Sequence, residues 1–376
     1  MRQRRLLSHR GNWLLVLLLA VIAALAPAGG AQASDGRPEF TVMTRNLYLG
    51  TDLTNTVTAT SVQDLVAAVT QDWANVVATN FPRRARALAD EIQQAHPDVL
   101  GLQEVSLWRD QQTSDIVNAV GVPIGAPTPN ASHVVYDFLA ILRAQLAGRG
   151  LSYLPVSVST NADVEAPRYT GTGFTDVRLT DRDVILVRAP LAARFRHPTH
   201  GHYAQQLTLP SAAGGTVQFT RGWNSVDYRT AGRPTVRIFE THLEVESPTP
   251  AGLIQQLQAA EFLGLVAASP YPVIAIGDFN SAADGSTTPT YSALTSVLTD
   301  AWATAHPGQP GVTCCQSGLL DNAQSLASVR IDLVLSKGNW SVEGVRRTGV
   351  DPFRTGPPPL WASDHFGVTA RLGLLR

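Results

Sequence analysis

Five apolar runs in this chain carry their polar residues at one end only, and the runs point in opposed directions. Residues 97–104 end at Gln103 and Glu104, residues 236–242 at Thr241 and His242, and residues 273–280 ("VIAIGDFN") at Asp278 and Asn280. Two others begin polar: Asp332 opens "IDLVLS", and Asp364-His365 opens "DHFGVTARL". Runs this apolar are buried strands, and a buried strand keeps its polar groups where the sheet stops. In a mixed sheet, antiparallel neighbours bring one strand's start beside another's end. All of these polar ends can therefore meet at one rim, together with Asn46, which follows a first strand begun by Phe40–Met43.

The remaining elements fit that frame. Residues 61–96 read as helical, with Leu65, Val66, Val69, Trp73, Val76 and Val77 in phase before Pro82, and Ala85, Leu88, Ala89 and Ile92 in phase after it. Residues 133–147 and 255–267 read as further helices, and 182–190 and 235–244 as strands. Residues 106–180, rich in Pro, Thr and Gly, read as an insertion walling a cleft. Strands and helices alternate unevenly, with hairpin-like pairs among them. This predicts an α/β fold with mixed sheets, in one domain over 40–376. The chain's 376 residues, 44% hydrophobic, suffice for a large core.

Residues 1–33 stand apart. Arg2, Arg4, Arg5 and Arg10 precede an apolar run from Trp13 to Ala26, and "AQA" closes at Ala33. This reads as a cleaved signal peptide followed by a short polar linker, 34–39, and predicts a secreted protein. An uncleaved anchor is the other reading of the run, although it is shorter than the roughly 20 residues a membrane span needs. The Arg4-Arg5 pair leaves the general and twin-arginine export routes both open. The leader holds four of the 29 basic residues and none of the 30 acidic ones, so the remainder has 25 against 30, a formal charge of −5. That balance excludes nonspecific nucleic-acid binding through a broadly basic surface, though not a local basic groove. Cys314 and Cys315, the two cysteines, are adjacent. A vicinal disulfide and two separate thiols both remain open, and no C-x-x-C metal pair exists.

Taken singly, the rim residues have ordinary explanations: Asn46, Asp278 and Asn280 as turn formers, Glu104 as a solvated strand end, His242 as a structural histidine. Together they form one set of hard oxygen donors with two histidines. Such a set suits Mg²⁺ or Mn²⁺ and the hydrolysis of a phosphoester. There is no G-x-S-x-G elbow, Walker A loop or dinucleotide fingerprint to support another chemistry.

The ordered segments "TRNLYLG", "LGLQEV", "ETHLEV", "IGDFNS", "RIDLVLS" and "SDHFGV" resemble the motifs of the endonuclease/exonuclease/phosphatase superfamily, the deoxyribonuclease-I-like fold. The resemblance implies a four-layer α/β sandwich, two packed mixed β-sheets flanked by helices, and metal-dependent phosphoester cleavage by in-line attack of water. It implies Glu104 as the main metal ligand, with Asn46 beside it and Asp364 in the metal region. Asp278 and Asn280 match the residues that orient water and phosphate. His365 matches the general base, Asp332 its orienting partner, and His242 a histidine on the phosphate. Whether one or two metals act stays open. The chain departs from many members at Asp181, Arg182 and Asp183; Arg182 either faces the phosphate or forms a surface salt bridge.

The substrate is a nucleic acid, a phospholipid head group or a small phosphoester. "VMTRNLYLG" and "THLEVE" are somewhat similar to the secreted bacterial sphingomyelinase branch, which would imply transient membrane contact. No obligate protein partner is implied. Phe353 and Trp361, flanking a Pro-rich loop, either touch lipid or belong to a rigid loop that packs one tryptophan. "GVTCCQSGLLDN" (311–322) falls where the family places a substrate-side loop. A non-catalytic binding protein that retains the fold is the reading from another class.

Overall fold

A computed structural model describes residues 38–125, 128–212, 216–245 and 251–375. The expected signal peptide and most of the linker lie outside the described residues. In chain order the strands are β1 (Glu39–Asn46), β2 (Val99–Gln103), β3 (Leu107–Gln111), β4 (His133–Asp137), β5 (Tyr153–Tyr169), β6 (Phe174–Arg188), β7 (Phe195–His202) and β8 (Leu207–Pro210). They continue with β9 (Thr216–Phe219), β10 (Gly222–Tyr228), β11 (Val236–His242), β12 (Val273–Asp278), β13 (Thr299–Asp300), β14 (Asp332–Lys337), β15 (Trp340–Thr348) and β16 (Gly367–Leu374). The helices are α1 (Thr54–Val57), α2 (Val62–Thr79), α3 (Phe81–Ala95), α4 (Phe138–Ala147), α5 (Ala251–Ala268), α6 (Thr290–Thr295) and α7 (Ala301–Ala305).

Two large mixed sheets result. One runs β15-β16-β1-β2-β6-β3-β4, with β5 also paired to β6; the other runs β13-β14-β12-β11-β10-β7. Alternation along the strands explains why both faces of each are apolar. In β1, Val42 faces the second sheet while Met43 faces the helices; in β12, Ile274 and Ile276 face inward while Val273 and Ala275 face α5. The inter-sheet core joins Phe40, Val42, Val99 and Ile185 to Ile238, Ile274, Ile276 and Val334. Outside the first sheet, Leu88, Ile92, Phe138 and Leu142 of α3 and α4 cover Leu100 and Leu102. Outside the second, Phe262 and Val266 of α5 cover Phe239 and Ala275. These are the four layers that the family resemblance implies. Among the described residues, no helix is long and apolar enough to cross a membrane.

Local chemistry sets the helix boundaries. Ser61 accepts the Asp64 amide at the start of α2. Asn80, with φ 49°, ends α2 in the left-handed conformation and opens α3 by accepting the Arg83 amide; Pro82 then sits where a missing N–H costs nothing.

Two expectations need correction. Residues 133–147 are not one helix: "HVVYD" is strand β4, its β-branched pair favouring extension. The helix starts after Asp137, whose carboxylate caps the amides of Leu139 and Ala140. Residues 106–180, expected as an insertion walling a cleft, are largely part of the first sheet. They contain β3, β4, α4, β5 and the first half of β6, and 182–188 is the end of that longer strand. In β6, Asp176, Val177, Leu179, Thr180 and Asp181 are buried and only Arg178 and Arg182 are half-buried among them, so both faces of the strand are largely covered. Strands β7 and β10, which extend the second sheet, carry no terminal polar pattern and were not expected.

Gly277 is required by close approach. A Cβ there would lie 2.0 Å from the carbonyl oxygen of Thr241 on the neighbouring strand, and backbone cannot yield as a flexible side chain does. Gly277→Ala is expected to destabilise the fold by about 2–4 kcal/mol, read as a lower denaturant midpoint at unchanged m-value.

Candidate active site

The rim is built by register. β1 and β2 run parallel and pair Asn46 with Gln103. β11 and β12 run parallel and pair His242 with Asp278, and the antiparallel β14 pairs Asp332 with the same Asp278. β16 lies antiparallel to β1, which puts Asp364 and His365, just before it, at the same end. All eight predicted site residues therefore gather where the two sheets open. Phe279 turns away between Asp278 and Asn280 and packs on Phe262.

Asn46 joins the sheets. Its side-chain amide donates to Glu104 Oε1 (3.0 Å) and to Asp278 Oδ2 (3.1 Å), and its Oδ1 accepts the Tyr48 amide. The Leu49 amide donates to Glu104 Oε2 at 2.7 Å. Across the rim, His365 Nδ1 lies 2.8 Å from Asp332 Oδ2, and the amide of Asp332 donates to Thr313 Oγ1. His242 Nε2 is 3.7 Å from Asp278 Oδ2. Asn280, at φ 48°, donates its side-chain amide to the Leu243 carbonyl.

Buried guanidiniums hold this frame from behind. Arg84, fully buried on α3, donates to the carbonyls of Leu47, Tyr48 and Ala362. Arg45 donates to the His365 carbonyl and pairs with Glu91 at 3.1 Å. Ser363 Oγ donates to the Asn46 carbonyl. The segments before and after the rim are thus tied to each other across the whole length of the chain.

Four residues beyond the predicted eight belong to the site. Asp181 and Asp183 are buried beside His242; Asp183 Oδ1 sits 3.7 Å from His242 Nδ1 and, like Asp181 Oδ1, has no hydrogen-bond partner. Arg221 lies against the His242 ring, 3.0 Å from Nδ1. Glu240, wholly buried between the sheets, accepts from Gln103 (2.8 Å) and Asn224 (2.9 Å). Sequence placed Asp181 and Asp183 without assigning them. Glu240 had a readable signal, two residues before His242 on the same strand and so on the same face. Arg221 precedes an unpatterned strand and had none. Arg182 does not face the rim: it donates to the Val105 carbonyl and pairs with Asp137 at 2.7 Å. Trp361 is buried, donates to the Asn322 carbonyl and packs with Phe366, so it is the packed tryptophan and not a lipid contact; Phe353 is exposed.

The electrostatics reflect crowded carboxylates. Burial, then Asp364 and Asp181, push Glu104 up to about 8. Burial pushes Asp183 up to about 7, against the opposing pull of Asn161 and Arg221. Burial, then Asp183, hold Glu240 well above the ordinary carboxylate range. Burial and the neighbouring Arg221 lower His242 to about 4, so its ring is neutral at neutral pH. For His365, burial favours the neutral ring, but Asp332, Asp364 and Asp278 outweigh it and hold its pKa well above the usual histidine value. An excess of acid over base in one place, with orphaned carboxylate oxygens on Asp181, Asp183 and Asp332, is what a divalent cation would relieve. Glu104 and Asp364 are the partly exposed members of the set, so a cation would meet them first.

A model of the endonuclease/exonuclease/phosphatase family matches residues 73–365, and the chain belongs to that family. The fold is similar to that of a family protein from Bacteroides thetaiotaomicron, at 15% identity and TM-score 0.55 over 90% of this chain and 99% of that one. A family protein from Leptotrichia buccalis matches at 15% identity and TM-score 0.51, over 88% of this chain and 98% of that one. A mannosyl-6-phosphatase of Bacteroides thetaiotaomicron matches at 16% identity and TM-score 0.52, over 89% of this chain and 99% of that one. At these identities the likeness is one of fold. A search of curated proteins finds no match. Enzymes of this family use divalent metals, and the acidic clusters of the rim accord with that.

Two outcomes follow from these charges. Metal-free protein holds the Glu104 proton more tightly folded than unfolded between about pH 4.5 and 8, so its stability falls as pH rises through that window. The melting temperature in EDTA should be lower at about pH 8.5 than at about pH 5.5, and saturating Mg²⁺ or Mn²⁺ should narrow the gap; a melting temperature that rises with pH in EDTA would contradict the assignment. Replacing Arg221 by Gln removes a positive neighbour and should raise the His242 pKa, measured by imidazole NMR titration.

Proposed function

We propose that the protein is a divalent-metal-dependent phosphoesterase that hydrolyses a phosphodiester or phosphomonoester by in-line attack of water. The observation that carries this reading is the bonded arrangement of the rim, with His365 tied to Asp332 on one side and Asn46 tying Glu104 to Asp278 on the other. Glu104, Asn46 and Asp364 would hold the ion, and an all-oxygen set of this kind favours Mg²⁺ or Mn²⁺. Bound there, the ion would polarise a phosphoryl oxygen and offset the carboxylate charge that otherwise keeps His365 protonated.

The chain's own residues supply the remainder. His365 has one nitrogen committed to Asp332, so Nε2 is the atom that takes a proton from water. Asp332 fixes the ring's orientation and stabilises its charged form. Asp278 and Asn280, set by β12 and the turn after it, orient water and phosphate. His242 is neutral, so it serves as a hydrogen-bond donor to a phosphoryl or leaving oxygen, and Arg221 beside it adds positive charge where negative charge develops. Asp181, Asp183 and Glu240 shape the field beneath these groups. We place this activity outside the cell, on the strength of the Arg-rich and apolar leader with its "AQA" site.

The test is a panel of DNA, RNA, sphingomyelin, inositol phosphates, a mannose 6-phosphate and a generic bis-ester, assayed with Mg²⁺ and Mn²⁺. Mannose 6-phosphate is included because of the mannosyl-6-phosphatase among the similar folds. Hydrolysis of at least one member, abolished by EDTA, is expected; no turnover on any member favours a binding protein that retains the fold. On the best substrate, His365→Ala and Asp278→Ala should each lower kcat by about 10²–10⁴-fold. Full activity in either variant would show the site to be wrongly assigned.

A further inference from the structure

The motif "GVTCCQSGLLDN" is left unused by the chemistry above, yet the fold ties it to the base. The Thr313 carbonyl accepts the Phe366 amide at 2.7 Å, Thr313 Oγ1 accepts the amides of Ile331 and Asp332, and the Gln316 amide donates to the Asp364 carbonyl at 2.9 Å. Cys314 and Cys315 form a vicinal disulfide with their Cα atoms 3.1 Å apart. Cys314 is buried, and its Sγ lies 3.4 Å from His365 Nε2, the nitrogen left after Nδ1 is bonded to Asp332. Cys315 is exposed. Cys314, His365 and Asp332 are thus in line as sulfur, imidazole and carboxylate, the order in which a histidine serves a thiol.

We infer that Cys314–Cys315 is a redox-modification site for thiols that, when reduced, occupies the catalytic base. Its effect on hydrolysis rests on the reading of His365 as that base; the exchange chemistry does not. Burial decides the direction of attack. The thiolate of an incoming dithiol reaches the exposed Cys315 sulfur and forms a mixed disulfide, while the Cys314–Cys315 bond breaks and Cys314 leaves with the electron pair, facing His365 Nε2. The dithiol's second thiolate then attacks its own sulfur in the mixed disulfide and releases Cys315. Two electrons and two protons have passed to the pair, and the dithiol has become a disulfide. A disulfide sulfur has no proton to donate and accepts only weakly, which leaves Nε2 free for water. A thiol in the same place, 3.4 Å away, donates to Nε2, and the lone pair needed by water is then taken. The oxidised chain is the working form, and reduction stops it reversibly.

The experiment uses the full chain with excess Mg²⁺ and the substrate from the panel. Dithiothreitol is titrated under native conditions, thiols are counted by alkylation and mass spectrometry, and hydrolysis is followed in parallel. Activity should fall by about a hundredfold as both thiols appear and return on reoxidation. The Cys314→Ala/Cys315→Ala variant, whatever its basal rate, should not respond to dithiothreitol. A monothiol, glutathione, quenched with acid and mapped by peptide analysis, should be found on Cys315 with Cys314 as the free thiol. Full activity with both thiols alkylatable overturns the proposal, as does glutathione mapped to Cys314, or a loss that reoxidation does not reverse. If His365→Gln hydrolyses as fast as the unaltered chain, the base reading fails, while the glutathione result still decides the exchange site.

Discussion

Burying several carboxylates side by side is costly, and much of this molecule is arranged around that cost. Asp181, Asp183, Glu240, Asp278 and Asp332 are almost wholly removed from solvent, with Glu104 and Asp364 at their edge. Water would spread such charge; a protein interior does not. The fold answers with hydrogen bonds from Asn46, Gln103, Asn161 and Asn224, with Arg221, and with two histidines held in opposite charge states. His242, between burial and a guanidinium, stays neutral; His365, facing three carboxylates, holds its proton. Two groups of one type are thereby given different duties by their surroundings alone.

This explains why the supporting contacts are so long-range. Arg84 reaches carbonyls at Leu47, Tyr48 and Ala362, and Arg45 reaches the carbonyl of His365. A guanidinium is well suited to this, because its planar fork serves several carbonyls at once and stays charged when buried. These ties fix the backbone, so the strands aim the rim side chains and the bonds among Asn46, Glu104 and Asp278 and between His365 and Asp332 complete their orientation. Carboxylates that repel would otherwise relax apart, and the site would lose the density of charge that makes it attractive to a cation.

The rim was legible in sequence because strand-end polarity is a local signal. The apolar stretches before Glu104, His242 and Asp278, and after Asp332 and His365, state where each strand stops, and mixed pairing then leaves little choice about where the ends meet. The four layers came from the resemblance of the motifs, and the unbroken apolar runs of β2 and β12, which demand cover on both faces, accord with them. Arg221 was not legible, because nothing near it in sequence marks it; it matters through its place beside His242, which only the sheet register creates. Strands β3 to β5 were obscured by the Pro, Thr and Gly around them, and β4 by its direct run into a capped helix. Arg182 stands in a row of charges where sequence cannot say which faces inward; its neighbours Asp181 and Asp183 do, and it turns to Asp137.

The order of strands carries a consequence for how the molecule comes into being. β16, near the carboxyl terminus, lies beside β1, near the start of the fold, and the residues just ahead of it include His365. A chain emerging from the ribosome therefore holds β1 with one edge unpaired and Arg84 without its Ala362 partner until synthesis is almost done. Such distant pairings form late and slowly. The rim therefore gains Asp364 and His365 only as the final strand docks.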